Sequence, residues 1–139
     1  MPGAFDGQSL VPLLEGEDPK GWRTCIFGTH DAHRVEPAVP SRSVRFGDWK
    51  YIRTWGRGLR FENNVMRTSD TWRAMIAAAE RDAQVLQRIQ RYVERPSEEL
   101  YDLEADPEEL HDLSRDAAMS KILEEGRRRL EDSPLVDTP

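Results

Sequence analysis

The chain has 139 residues, 37% of them hydrophobic and 33% charged, with a formal net charge of −6; it is one domain in size and leaves no room for two full catalytic layers. It has no run near the ~18 apolar residues of a membrane span, and its single cysteine excludes an intrachain disulfide framework and a multi-cysteine zinc site. The charge is uneven, with fifteen Lys and Arg against twelve Asp and Glu in residues 1–95 and five against fourteen in residues 96–139.

In chain order, residues 1–23 hold seven Gly and Pro around one apolar run, Leu10-Val11-Pro12-Leu13-Leu14. This composition predicts an extended lead-in with a short hydrophobic plug, at most a helical turn, that docks on something larger. Residues 1–7 show neither the basic nor the apolar segment of a signal peptide. Residues 23–29, β-branched and aromatic, read as a strand. Residues 30–40 carry two prolines and read as a loop. The sharpest local signal is Ser41-Arg42-Ser43-Val44-Arg45-Phe46 and Trp49-Lys50-Tyr51-Ile52-Arg53-Thr54 around Gly47-Asp48, the pattern of a β-hairpin. Its second strand places Trp49 and Tyr51 on one face and Lys50 and Ile52 on the other, which predicts a sheet covered fully on one side and partly on the other.

Residues 55–68 read as a loop. Ser69 or Asp70 then caps a helix whose apolar positions, from Trp72, Met75 and Ile76 to Ile89 and Val93, recur every three or four residues until Arg95-Pro96 stops it. The expectation is one long amphipathic helix over residues 70–93. Residues 99–103 read as a last strand, and Asp106-Pro107 as the start of a helical turn. A final helix from Asp116 turns Met119, Ile122, Leu123, Gly126 and Leu130 inward, with Arg127, Arg128 and Arg129 in its last turns, where cations suit the helix dipole. The tail from Ser133 is expected to be loose. The fold class is therefore α+β.

Chemistry is thinly marked. His30-Asp31-Ala32-His33 offers polar side chains just past a strand end, and three readings stay open: a metal pair, loop packing, or contact with an anion aided by the basic stretch from Arg42 to Arg60. Cys25 sits mid-strand, where a small buried hydrophobe is the ordinary reading. The carboxylates of residues 98–112 read as an acidic surface without a pocket, so no catalytic or metal-ligating residue is assigned. The acidic balance and the lack of a recognised motif speak against a nucleic-acid partner.

Three segments carry a family resemblance. Phe5-Asp6-Gly7-Gln8-Ser9-Leu10-Val11-Pro12-Leu13-Leu14-Glu15-Gly16 resembles the segment that closes the catalytic domain of sulfatases. Pro40-Ser41-Arg42-Ser43-Val44-Arg45 with Asp48-Trp49-Lys50-Tyr51-Ile52 resembles the hairpin of their C-terminal subdomain, and Glu99-Leu100-Tyr101-Asp102-Leu103-Glu104-Ala105-Asp106-Pro107-Glu108-Glu109 resembles that subdomain's closing signature. The His30/His33 loop and the insertion at residues 70–93 look most like the heparan N-sulfatase branch.

The resemblance implies a small antiparallel sheet of about four strands with a C-terminal helix, plus the long amphipathic helix. Residues 1–22 would be a lead-in from an absent N-terminal catalytic domain, residues 23–132 the subdomain, and residues 133–139 the tail. It implies that His30 and His33 face the substrate cleft, and that Arg42 and Arg45 orient an anionic sugar or brace the contact between domains. Sulfatases use a formylglycine, made from the cysteine or serine that opens a C-x-P/A-S-x-R motif, and a divalent cation such as calcium. Cys25 is followed by Ile-Phe-Gly-Thr and does not match that motif. The chain alone is thus expected to be inert. It reads either as the C-terminal part of a sulfatase acting on sulfated carbohydrate, or as a stand-alone module that binds sulfated glycans. Full-length members are often periplasmic, secreted or lysosomal.

Overall fold

The computed structural model describes residues 8–31, 39–56, 60–61 and 63–133. A short helix, α1 (Val11–Leu14), precedes three consecutive strands, β1 (Cys25–His30), β2 (Ser41–Phe46) and β3 (Trp49–Thr54). Three helices follow: α2 (Asn64–Arg67), α3 (Asp70–Ala79) and α4 (Ala83–Val93). The chain then returns as β4 (Glu98–Asp102) and closes, through a 3-10 turn at Ala117–Met119, with α5 (Ser120–Glu131). The four strands form one antiparallel sheet in the order β1-β2-β3-β4, as the α+β reading requires.

The hairpin follows its turn. Gly47 has φ +55, a left-handed conformation that glycine adopts without the Cβ clash other residues meet, and Phe46 pairs with Trp49 across it. Strand alternation then sorts the side chains onto two faces. On one face, Val44, Phe46, Tyr51 and Leu100 are buried and pack against Leu123 and Leu130 of α5. Gly126 lets α5 approach closely, because a Cβ there would lie 2.7 Å from Tyr51 Cβ. The same side is tied by Glu98, which accepts two hydrogen bonds from Arg127 at 2.7 Å and one from the Tyr51 hydroxyl at 2.6 Å. The turn after β4 is fixed by Asp112, which accepts from Leu100 N, and by Leu113 N donating to Leu100 O.

Two expectations are corrected here. The helix over residues 70–93 is two helices, because Asp82 leaves the helical conformation and its carboxylate accepts from Gln84 N and Val85 N, starting α4 afresh. A carboxylate that can cap competes with helix continuation, and the apolar spacing runs on across the break. Asp106-Pro107 starts a turn and no helix: Glu109 N bonds Asp106 O, and the Asp106 carboxylate accepts from His111 N. The loop expected over residues 55–68 also contains α2. Ser69 caps α3 as anticipated, accepting from Trp72 N, and Asp116 caps the final 3-10 turn. The plug at residues 10–14 does form a helical turn, and its Leu14 is 83% exposed. Among the described residues, no helix is long and apolar enough to cross a membrane. Residues 134–139 of the expected tail lie outside the described residues.

Candidate functional site

The face of the sheet away from α5 is only partly covered, with α4 beside it: Ile89 and Val93 of that helix are buried and its Arg91 donates to the Tyr101 hydroxyl of β4. Two adjoining hollows remain, of about 390 Å³ and 640 Å³, and both are lined by Ile52, Arg95, Glu99 and Glu109. Together they make a trough running from His30 at the end of β1 to His111 beyond β4.

Its floor is polar and tightly held. Glu99 is 1% exposed. One of its oxygens accepts from the Tyr101 hydroxyl at 2.6 Å, and that hydroxyl accepts in turn from Arg91 at 2.8 Å. Among the described residues the other oxygen has no hydrogen-bond partner, and Arg95 stands 3.8 Å from it. Burial, followed by the hydrogen bond to Glu99, pushes the Tyr101 phenol above its ordinary range, so it stays a donor. Lys50 donates to both oxygens of Glu109, at 2.8 and 2.7 Å. Glu109 itself has φ +55, a backbone state that costs a non-glycine residue about 1 kcal/mol and gathers at functional positions. Aromatic rings close one wall: Phe61 meets His30 and Tyr92 edge-on, and Arg95 lies over both Phe61 and Tyr92.

The four residues singled out from sequence are not gathered in this trough. His30 lines it. His33 lies outside the described residues. Arg42 and Arg45 are three apart on β2, so alternation sends them to opposite faces. Arg42 is buried on the α5 side, bonded to Asp31 and to Ser41 O. Arg45 is exposed and borders a separate hollow with Leu10, Trp22 and Ile26.

The carboxylates read as an open acidic surface include a bonded pair of opposite fates. Glu98 is locked to Arg127 on the α5 side, and Glu99 is sunk beneath the trough. Alternation within Glu98-Glu99-Leu100-Tyr101 was the available signal, since neighbours in a strand face opposite ways. It was outweighed by the density of acidic residues around it.

The described residues do not fit a formylglycine or a divalent cation. None of them form a group of three or more His, Cys, Asp or Glu suited to a metal. Cys25 is a half-buried free thiol packed against the α5-side core. No step through either group is derived from this chain.

No family model matches the chain. It is 29% identical over 126 residues to the ulvan-active sulfatase of Formosa agariphila, which covers 89% of this chain and 23% of that protein. The structure of a 2-O GAG sulfatase matches with a TM-score of 0.61 and 26% identity, over 95% of this chain and 20% of that one. A structure in complex with its substrate D-glucosamine-2-N,6-O-disulfate shares the fold, at a TM-score of 0.57 and 20% identity, over 94% of this chain and 20% of that one. The chain thus spans about a fifth to a quarter of the length of the proteins it matches. In sequence and in fold, it is similar to the C-terminal part of sulfatases.

Proposed function

We propose that this chain is the C-terminal subdomain of a sulfatase acting on sulfated carbohydrate, with the nucleophile and cation supplied by a catalytic domain on another part of the polypeptide. The observation that supports it is the likeness over 95% of this chain to one fifth of a 2-O GAG sulfatase, with identity of 26%. The two sulfatase relatives, one ulvan-active and one a 2-O GAG sulfatase, favour sulfated glycans as the substrate class. The finer reading, an N-sulfated glucosamine residue, rests on the sequence resemblance and on the glucosamine disulfate bound by a fold neighbour. In this proposal residues 1–22 join the two domains. His30 and His33 reach the substrate cleft, and Arg42 and Arg45 orient the sugar or brace the domain contact. Arg42, buried and bonded to Asp31, fits the bracing role better than contact with sugar.

The reading is tested in two steps. The purified 139-residue chain is assayed on 4-nitrophenyl sulfate and on N-sulfoglucosamine, and no turnover is expected; turnover would overturn the division of labour. The coding DNA upstream is then read for a C-x-P/A-S-x-R motif, with cysteine or serine at its first position, in the same or a shifted frame. Its absence within the length of a catalytic domain counts against a sulfatase origin and favours the second reading, a binding module without catalysis, for which the polar trough is the specific observation.

A further inference from the structure

Along α4, Gln84, Gln87, Arg88 and Arg91 stand three, four and seven residues apart, so they form one stripe, and they line the larger hollow together with Arg95, two residues past the end of the helix. Arg91 is engaged with Tyr101 and Leu110 O. The side chains of Gln84, Gln87 and Arg88 have no hydrogen-bond or ionic partner among the described residues. A solvated helix face is ordinary; this one looks across a hollow at Glu99, a carboxylate 1% exposed with one oxygen unbonded. It also looks at Glu109, held at its unusual backbone angle and anchored by Lys50.

We infer that this trough is a binding site for a segment of anionic oligosaccharide laid between α4 and strands β3 and β4. Guanidinium groups at Arg88 and Arg95 meet sulfate or carboxylate substituents by charge-assisted hydrogen bonds. The amides of Gln84 and Gln87 and the partly exposed carboxylate of Glu109 meet ring hydroxyls, which both donate and accept. The mixture decides the ligand class. Glu99 and Glu109 repel a dense chain of phosphates, whereas sparse anions on a neutral hydroxylated frame match cations interspersed with neutral amides and acceptors. Gln84 and Arg91 are seven residues apart on α4, about 10 Å along the helix axis, so the site spans more than one sugar ring. Sulfate as the substituent rests on the sulfatase reading; the site itself rests on the trough.

The test is a titration of a fluorescently labelled heparin hexasaccharide with the 139-residue chain at low ionic strength, read by anisotropy. Saturable binding is expected, weakened about tenfold or more by Arg88→Glu. It should be left within about twofold by Arg73→Glu, a charge reversal on α3, where Arg73 pairs with neighbouring Asp70. Thermal melts check that both variants remain folded. Absence of binding, or equal losses in the two variants, overturns the proposal, because the latter is diffuse charge attraction without a site. Either result leaves the sulfatase reading standing, since that reading is decided by the upstream motif and by hydrolysis.

Discussion

Two glycines show how a single hydrogen atom in place of a side chain sets the packing. At Gly126 an added methyl meets the Cβ and Cγ of Tyr51 at 2.7 and 2.8 Å, and Tyr51 is fully buried beneath α5. Alanine gains about 1 kcal/mol of helix propensity there but overpacks a site that cannot yield, at about 1–3 kcal/mol. Gly126→Ala is therefore expected to lower the urea midpoint. At Gly28 the added methyl meets only Ser43 Oγ, at 2.8 Å, a hydroxyl that can rotate away. Gly28→Ala is expected to leave the midpoint nearly unchanged, and a larger loss at Gly28 than at Gly126 would contradict this account of the core.

Charge at the same scale gives a pH dependence. Hydrogen bonds from Arg127, and secondarily from Tyr51, hold the Glu98 carboxyl below its usual 4.5. A depressed carboxyl contributes stability that is present above about 4.5 and is lost as the pH falls through the folded-state value. Acid unfolding should therefore begin below about pH 4.5. Glu98→Gln should flatten the stability curve in that window while costing about 1 kcal/mol at neutral pH. An unchanged acid slope in the variant would assign the effect to other carboxylates.

At the scale of elements, the capping residues carry much of the outcome. Residues 80–82 separate α3 from α4, and Asp82→Ala removes the acceptor for Gln84 N and Val85 N. The expected cost is about 1 kcal/mol, seen as a lower melting temperature with little change in helical circular dichroism. What the sequence made legible follows the same division. The hairpin, β1, β4 and α5 are marked by alternation, turn residues and a heptad-like stripe, all of them local signals. The break at Asp82 is not, because an unbroken apolar spacing accommodates one helix or two, and only the capping geometry chooses between them. The trough was hidden for another reason. Its wall and its floor are separated in sequence, and the stripe of Gln84, Gln87 and Arg88 looks like any solvated face until Glu99 is placed opposite.

For the whole molecule, the sheet is clothed by α5 on one side, while the other end of the fold is bare. Leu10, Val11 and Leu14 of the α1 region are more than half exposed, as is Ile26 on edge strand β1. Exposed apolar surface of this kind promotes association, and the edge of β1, outermost in the sheet among the described residues, offers a second route. Sedimentation of the 139-residue chain should show concentration-dependent self-association that Leu14→Ser with Ile26→Ser suppresses. A strictly monomeric wild type would show that this surface is tolerated by itself.

Strands β3 and β4 are hydrogen-bonded neighbours, yet residues 55–97 lie between them. Everything in that excursion leaves the sheet at one point and returns beside it, and lengthening such a connection costs only about 0.6 kcal/mol per doubling. The wall of the trough is thus a cassette grafted onto a β-ribbon. Exchanging it would retune what the molecule grips without disturbing the scaffold, so divergence in ligand preference is available to this architecture at almost no cost to its folding.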